Sequence, residues 1–481
     1  MRSLIFAAML GFGLATPAFA ADDARKEAPL GDTAALRAEL KRLADRIEAL
    51  EKQNKEMESA LATDRLSEKE PEVVTRLKAV EFQTLSMQKQ ARQIEYLEGI
   101  SVGASLTGVL QEVGAGGTAS GVAETRGNYR GDVSVTLPGG EMGDTEGAIF
   151  THLRFGQGNG VGLKSSFTST ANSTAFEKAS TPADDSFAIL AQAWYQLKFH
   201  LDSNGAKANA REHVHFTVGK IDPFVFFDQN AAADDESARF MNNVFVHNPL
   251  LDSGGGTGAD AYGFAPGAIL QYVNEKEKGA EWGLAAGVFA SGGGANFTAS
   301  PSRPFVILQA EANARFNYLP GTYRAYLWNN GRGSGWDGLT RSHSGIGFSA
   351  NQKVTDELTL FARYGHQFAG KVRFDRALTF GGELDGSGWG RAADAIGLAL
   401  GVARASASYL HDASVVDANA DGVPDLGYVP SGSEKQFELY YRYKLNSHVE
   451  LTPDLQLISR PAANGATTEI QVVGLRARIG F

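Results

Sequence analysis

The chain has 481 residues, no cysteine and a formal net charge of −10 at pH 7, with 56 glycines against 15 prolines. The lack of cysteine excludes disulfides, thiolate metal sites and a cysteine nucleophile. The negative charge argues against a nucleic acid as partner, and the excess of glycine is typical of many strands joined by tight turns.

Residues 1–20 have the pattern of a secretory signal peptide. The basic residue Arg2 precedes an apolar stretch, and the sequence AFA at 18–20 supplies a cleavage site before Ala21. The apolar run is too short for a membrane-spanning helix, which needs about 20 residues. We therefore expect the mature chain to begin near Ala21. Because no later segment has a long apolar run, we expect it to enter a membrane only as a β-barrel.

Residues 21–99 are predicted to form an α-helical coiled-coil stalk. Between residues 36 and 61 the residues of one stripe recur at alternating spacings of four and three, which is the seam of a left-handed coiled coil. A weaker series follows between residues 77 and 97. Such a narrow stripe cannot bury itself in one helix, so the pattern favours self-association over a solvated single helix. Asn54 lies in the seam and is expected to set its register.

From residue 100 to residue 481 the apolar period changes from that of a coiled coil to two. Between residues 435 and 445, and again between 308 and 315, apolar and polar side chains alternate, so that one face suits lipid and the other water. About sixteen such segments follow one another, an even number that is typical of outer-membrane barrels. We therefore predict an all-β transmembrane barrel of about 16 antiparallel strands, preceded by the stalk.

The last predicted strand ends the sequence in phenylalanine. Apolar residues alternate from Val473 to Phe481, as at the C-termini of outer-membrane barrels; the alternative is the final strand of a soluble sandwich. Strand parity places short connections, such as 354–357 and 446–447, in the periplasm. The long connections that parity places outside the cell are 157–185, 222–263 and 411–433.

The segment 222–263 is the candidate for a loop that narrows the lumen. It combines an acidic cluster, Asp234, Asp235 and Glu236, with Arg239 and several phenylalanines. This composition is too apolar for a loop in free solvent. Because a barrel of this size leaves an aqueous lumen unless loops enter it, we predict that the segment folds inward.

Several phrases of the barrel region follow one another in a specific order and spacing. They are VGKID (218–222), FDQN (227–230), ADDESARFMNNVFVHNP (233–249), LFARYG (360–365), WGRAADAIGLALG (389–401), SEKQFELYYRYKLN (433–446) and LTPDLQLISRP (451–461). Together they resemble the carbohydrate-selective porins, the OprB-like family. The resemblance implies a 16-stranded outer-membrane channel that passes sugars passively, and it runs from about residue 100 to the C-terminus, so the stalk lies outside it. By analogy with porins, a trimer is the preferred oligomer.

Aromatic and charged residues on the predicted inner face are candidates for contact with sugars. Sugars present C–H faces that stack on aromatic rings and hydroxyls that bind charged or amide groups. By alternation Trp194 and Trp328 point inward, the latter beside Arg324. The alternative is that each Trp belongs to an interfacial girdle, because a slip of one residue reverses the faces of a strand.

Three arginines on strands near the barrel closure, Arg154, Arg476 and Arg478, are expected to face the lumen together. If they stand opposite the acidic cluster of the 222–263 segment, the two groups set a transverse field across the constriction. The alternative is that each arginine is only one solvated charge on a polar lumen wall and sets no field.

One motif resembles a calcium-binding loop. Asp417, Asn419, Asp421 and Asp425 place oxygen ligands around a turn-making glycine. Tyr428 stands where an EF-hand needs a bidentate glutamate, and no helical pattern flanks the motif, so a full EF-hand is excluded. A structural Ca²⁺ loop and a simple acidic turn both remain open, and no other cofactor is expected.

The function that these patterns favour is passive diffusion of neutral sugars and other small hydrophilic solutes through an oligomeric barrel in outer-membrane lipid. No enzyme is expected, because His213, His215 and His411 have no nucleophile at motif spacing. The alternative function is structural. In that case the periplasmic stalk meets peptidoglycan and the barrel serves as its anchor.

Overall fold

The computed structural model describes residues 99–177, 185–201, 210–252, 262–291, 302–413, 415, 416, 426 and 428–481, together with Lys41 and Lys52. The predicted signal peptide, coiled-coil stalk and calcium loop at 417–425 lie outside these residues. The chain divides into two units between residues 98 and 99, and the second unit is described below. No helix in the described part of the chain is both long and apolar enough to cross a membrane.

Sixteen antiparallel strands form one closed barrel in which each strand pairs with its neighbours in sequence and the last pairs with the first. The predicted fold class of the barrel is therefore confirmed. The strands are β1 (Ser101–Val113), β2 (Glu124–Met142), β3 (Thr145–Gln157), β4 (Phe187–His200), β5 (Glu212–Ile221), β6 (Ala265–Asn274), β7 (Trp282–Phe289), β8 (Phe305–Phe316), β9 (Leu319–Ser334), β10 (Thr340–Lys353), β11 (Leu358–Ala369), β12 (Phe374–Gly386), β13 (Arg391–Ala405), β14 (Ser433–Lys444), β15 (Val449–Ser459) and β16 (Ile470–Gly480).

Short helices occupy some of the connections. The α-helices are α1 (Asn243–Val246), α2 (Pro249–Asp252) and α3 (Ala407–Ala413), and single 3₁₀ turns lie at Ala115–Gly117, Pro223–Val225, Ser387–Trp389 and Pro461–Ala463.

The alternation of side chains along each strand separates an apolar outside from a polar inside. On β16 the outward side chains of Val473 and Leu475 are 58% and 47% exposed, whereas the inward side chain of Arg476 is 1% exposed. On β14 the inward Glu438 is fully buried. Because successive side chains of a strand point to opposite faces, a continuous apolar belt covers the outer surface, as lipid requires.

The two ends of the barrel differ in their connections. One end, called the turn end, carries tight turns such as Asn317-Tyr318, where both residues have positive φ as a two-residue hairpin requires. The other end, called the loop end, carries the longest connections, between β3 and β4, β5 and β6, and β13 and β14. The expected asymmetry between short turns and long loops is therefore present.

Two of the long connections fold into the barrel. Residues 222–252, called the constriction loop, bury Phe240 and Phe245 against Phe361 of β11 and Tyr440 of β14. Residues 158–177, called the second inner loop, bury Phe167 against Phe374 of β12. The inward fold of the first loop agrees with the sequence analysis. The second was expected to lie outside the cell, and its described residues lie inside the barrel.

Candidate functional site

The constriction loop is anchored by one buried ion pair. Asp228 of the loop and Arg363 of β11 are both buried, with 3.1 Å between Arg363 Nε and Asp228 Oδ2. Arg363 also donates to the carbonyl of Phe245 at 2.8 Å, and the Tyr326 hydroxyl donates to Asp228 Oδ1 at 2.9 Å. The backbone N–H of Asn248 donates to the other carboxylate oxygen. The pair thus ties two turns of the loop to the barrel wall.

A second set of contacts holds the constriction loop against β14 and β16. The Glu438 carboxylate accepts from the backbone N–H groups of Met241 and Asn242. Arg476 donates to the carbonyls of Glu236 and Arg239 at 3.0 and 2.6 Å. Because the side chains of Glu438 and Arg476 are both buried, they hold the loop backbone in place rather than meet a solute.

A buried carboxylate anchors the second inner loop near Phe167. Glu434, at the start of β14, accepts from the backbone N–H groups of Phe167, Thr168 and Ala462. The inward fold of this loop was not predicted from the sequence, because its many serines and threonines are those of a solvated loop. The available signal in the sequence was a glutamate on the inward face of β14, at the start of the strand.

Between the constriction loop and the wall lies a cluster of paired charges from β2, β3 and the loop. Arg130 donates to Asp132 at 2.8 Å and to Glu236 of the loop at 2.7 Å, and it is 4% exposed. Asp132 also accepts from Arg154 at 2.7 Å and contacts His152 at 2.8 Å. Glu236 is therefore compensated by a direct partner on its own side of the lumen.

Cavities lie on both sides of this cluster. The loop-side cavity has a volume of about 350 Å³ and is lined by Arg154, Asp234 and Glu236 together with aromatic side chains. The turn-side cavity has a volume of about 620 Å³ and is lined by Asp132 and Arg478 among others. Because Asp132 of the turn-side cavity accepts from Arg154 of the loop-side cavity, the paired charges connect the walls of the two cavities.

The loop-side cavity also presents aromatic faces. Phe224 and His247 of the constriction loop stack with 3.7 Å between ring centroids and an interplanar angle of 8°. Tyr262 lines the same cavity and lies 5.3 Å from the ring of Phe176. Sequence analysis did not select these residues, because they lie in loops, where side chains have no fixed period.

The structure separates the three predicted arginines. Arg154 lines the loop-side cavity and Arg478 the turn-side cavity, whereas Arg476 is 1% exposed beneath the constriction loop. The expected arrangement, in which all three face the acidic cluster across the lumen, is wrong for Arg476. Alternation fixes the face on which a side chain lies, but the docked loop decides whether that face is open.

The predicted acidic cluster is divided in the same way. Asp234 and Glu236 line the loop-side cavity. Asp235 instead accepts from the backbone N–H and the hydroxyl of Ser237 within the loop. Arg239 reaches β12, where its Nε lies 3.7 Å from Glu383 Oε2.

Both predicted tryptophans lie inside the barrel beside the constriction loop. Trp194 stacks on Phe150 at 4.7 Å and meets Phe226 of the loop edge to face. Trp328 is 2% exposed in an apolar cluster, so it supports the loop and does not face open lumen. Arg324 contacts Glu311 at 2.6 Å and donates to the carbonyl of Gln229, which also places it against the loop.

The negative charge of the loop-side cavity is expected to decrease just below neutral pH. Burial raises the pKa of Asp234 to about 6, although His247 and Arg363 oppose the shift. This carboxyl is ionised at pH 7 and mostly neutral at pH 5. Its raised pKa also means that its charge opposes folding above pH 6 and that this cost disappears as the pH falls. We expect the cation preference of the pore, measured as the reversal potential in a KCl gradient, to fall between pH 7 and pH 5.

Two variants isolate this effect. Asp234→Asn should remove the step between pH 7 and pH 5. Asp235→Asn should keep it. Burial favours a raised pKa for Asp235, but the hydrogen bonds of Ser237 and the charges of Arg478 and Arg239 together outweigh burial and lower that pKa, so this carboxyl stays ionised across the window. An unchanged step in Asp234→Asn contradicts the assignment.

Solved structures and a family model of known proteins match the chain. A solved OprB structure from Pseudomonas putida at high pH matches with a TM-score of 0.62 and 17% identity over 81% of this chain and 96% of that chain. A Rh. blastica porin variant matches with a TM-score of 0.43 and 10% identity over 79% of this chain and 100% of that chain. No curated protein matches the chain. The family model for the carbohydrate-selective porins matches residues 73–481, and the chain therefore belongs to the OprB family of carbohydrate-selective porins of the outer membrane.

Proposed function

We propose that the barrel is a passive channel for neutral sugars and other small hydrophilic solutes, and that the constriction loop selects among them. The observation that carries this proposal is the loop-side cavity, where aromatic rings and charged groups share one wall of the narrowed lumen. Its volume of about 350 Å³ lies in the range of small-molecule sites. Diffusion down a gradient needs no covalent step and no energy coupling.

The residue types in this cavity match the two surfaces of a sugar ring. Tyr262 and the stacked pair Phe224–His247 offer faces for the C–H side of a pyranose. Arg154 and Glu236 offer a donor and an acceptor for hydroxyl groups. Because these charges are already paired within the protein, a neutral solute can exchange hydrogen bonds with them without leaving a buried charge unpaired.

Single-channel conductance in a planar bilayer tests the proposal. Glucose and longer malto-oligosaccharides should reduce the conductance in a saturable way. Tyr262→Ala should weaken this block by about two- to tenfold, the value of one aromatic contact. Tyr364→Ala removes an outward-facing tyrosine of β11 that is 36% exposed and serves as the matched control. An open channel indifferent to sugar leaves a general porin, and a protein without conductance contradicts the proposal altogether.

The sequence supports a further proposal for the N-terminal region. We propose that residues 21–99 form a coiled-coil stalk in the periplasm, that the stalk joins barrels into a trimer, and that it is a candidate contact to peptidoglycan. The seam of residues 36–61 supports self-association. The structural Ca²⁺ loop at 417–425 stays a prediction. A chain without residues 21–99 that sediments as the same oligomer as the full chain argues against the stalk's role.

A further inference from the structure

Three histidines that the sugar channel does not use meet on the inner wall near the turn end. His213 and His215 alternate along β5 and therefore share one face. His200, the last residue of β4, stands directly opposite His213 in the antiparallel register. An H-x-H pair on one strand and a third histidine on the next strand is an arrangement that can direct three imidazoles to one point.

The rings are in contact and the first two are buried. The centroids of His200 and His213 lie 5.1 Å apart, and those of His213 and His215 lie 6.1 Å apart. The side chains of His200 and His213 are 3% and 6% exposed. Neither ring nitrogen of His200 has a hydrogen-bond partner among the described residues, and the same is true of Nδ1 of His213. Buried polar atoms without partners are costly, so this arrangement calls for a ligand.

Two carboxylates complete a donor set. Glu146 Oε1 lies 3.4 Å from His200 Nε2, and Glu275 Oε2 lies 3.4 Å from His213 Nε2. Neutral imidazoles together with carboxylates are the ligands that zinc and neighbouring transition metals prefer when no thiolate is present. Calcium and magnesium, which prefer oxygen ligands throughout, do not fit this set.

We propose that His200, His213 and His215, with Glu146 or Glu275, bind one transition-metal dication of the Zn²⁺ class. With Zn–N distances of about 2.0–2.1 Å and a tetrahedral angle, two coordinated imidazoles place their centroids about 5.2 Å apart. The observed separation of His200 and His213 is 5.1 Å. His215, which contacts Gln196 at 3.3 Å, must approach His213 by about an ångström to join them.

Two features limit the affinity of this site. Among the described residues, no three histidine, aspartate or glutamate side chains are placed so that they could hold a metal ion, so the rings must turn about their side-chain torsions before a metal can bind. In addition, Lys198 lies opposite both Glu146 on β3 and His215 on β5. Its ammonium group repels a dication and competes for the carboxylate. The site therefore binds reversibly, and an occupied site adds positive charge to the inner wall.

The test is titration of the purified full chain in detergent micelles with ZnCl₂, followed by calorimetry, with folding of each variant checked by heat-modifiable migration. The wild type should bind one saturable Zn²⁺ at this site. Loss of an outer-shell partner alone typically weakens metal binding ten- to a hundredfold. The double variant His200→Gln/His213→Gln removes two direct ligands and should therefore lose at least that much affinity for Zn²⁺. His366→Gln, which removes a histidine of β11 remote in sequence from the cluster, is the matched control and should bind as the wild type does.

A second variant separates a built site from general surface binding. Lys198→Met removes the opposing charge and should tighten Zn²⁺ binding by about threefold or more, whereas scattered surface histidines predict no change. Micromolar ZnCl₂ should also lower the single-channel conductance for K⁺ in the wild type but not in the double variant. Absence of saturable binding, equal affinity in the double variant, or no effect of Lys198→Met overturns the proposal. None of these outcomes bears on block by sugars, which tests the channel separately.

Discussion

Replacing Arg363 with alanine is expected to destabilise the protein by about 3–5 kcal/mol and to raise the conductance of the pore. The substitution leaves the Asp228 carboxylate fully buried without its cation, although Tyr326 and Asn248 still donate to it. It also removes the donors to the carbonyls of Phe245 and Asp228. Because these bonds join the constriction loop to β11, the cost falls on the docked position of the loop.

The conductance follows from the same contacts. A loop that leaves the wall no longer narrows the lumen, and a barrel of sixteen strands without it holds a wide aqueous channel. Urea unfolding of the reconstituted protein measures the stability, and single-channel steps in a planar bilayer measure the pore. Arg363→Ala should therefore show a lower unfolding midpoint together with larger or more variable steps.

Two variants test this explanation. Arg126→Ala removes an arginine whose side chain is 52% exposed and paired with Glu124 at 3.4 Å, and it should change the stability by no more than about 1 kcal/mol. The double variant Asp228→Asn/Arg363→Met removes both charges and should cost less than Arg363→Ala alone, since no buried charge is left unpaired. If the double variant is as unstable as the single one, the pairing of the two charges does not anchor the loop.

Replacing Glu434 with alanine is expected to release the part of the second inner loop around Phe167 at a cost of about 3 kcal/mol or more. The carboxylate is fully buried and accepts from the N–H groups of Phe167, Thr168 and Ala462, from the Thr168 hydroxyl and from the side-chain amide of Gln436. Each of these donors loses a charged acceptor at once. Hydrogen bonds to charged groups are the stronger ones, and each donor left buried without a partner adds to the cost.

Limited proteolysis gives the most direct measurement, because a released loop becomes accessible between residues 158 and 177. Glu434→Ala should be cleaved there faster than the wild type while the strands stay protected. Glu277→Ala changes an exposed glutamate in the connection between β6 and β7 and should alter stability by no more than about 0.5 kcal/mol. Equal cleavage of Glu434→Ala and the wild type would show that this carboxylate is not the anchor.

The match between predicted and observed strands has a simple cause. Water and lipid impose opposite demands on the two faces of every strand, so the period of two is written into the sequence wherever the barrel meets both. Strand bounds at the rims do not follow from this alternation. β2 begins at Glu124, because strand pairing with β1 continues past the apolar belt into polar residues.

The sequence by itself determined the barrel, the number of its strands, the faces of their side chains and the inward fold of the constriction loop. Only the tertiary structure decided which inward side chains remain open to solutes. Arg476 and Arg478 lie two residues apart on one face, yet the first binds the constriction loop and the second lines the turn-side cavity. The period of two specifies the face of the strand on which a side chain lies, but not its depth, that is, whether a docked loop covers it. Depth depends on loops held by contacts between distant residues, such as Asp228 with Arg363 and Phe167 with Glu434, and local patterns carry no record of those pairings.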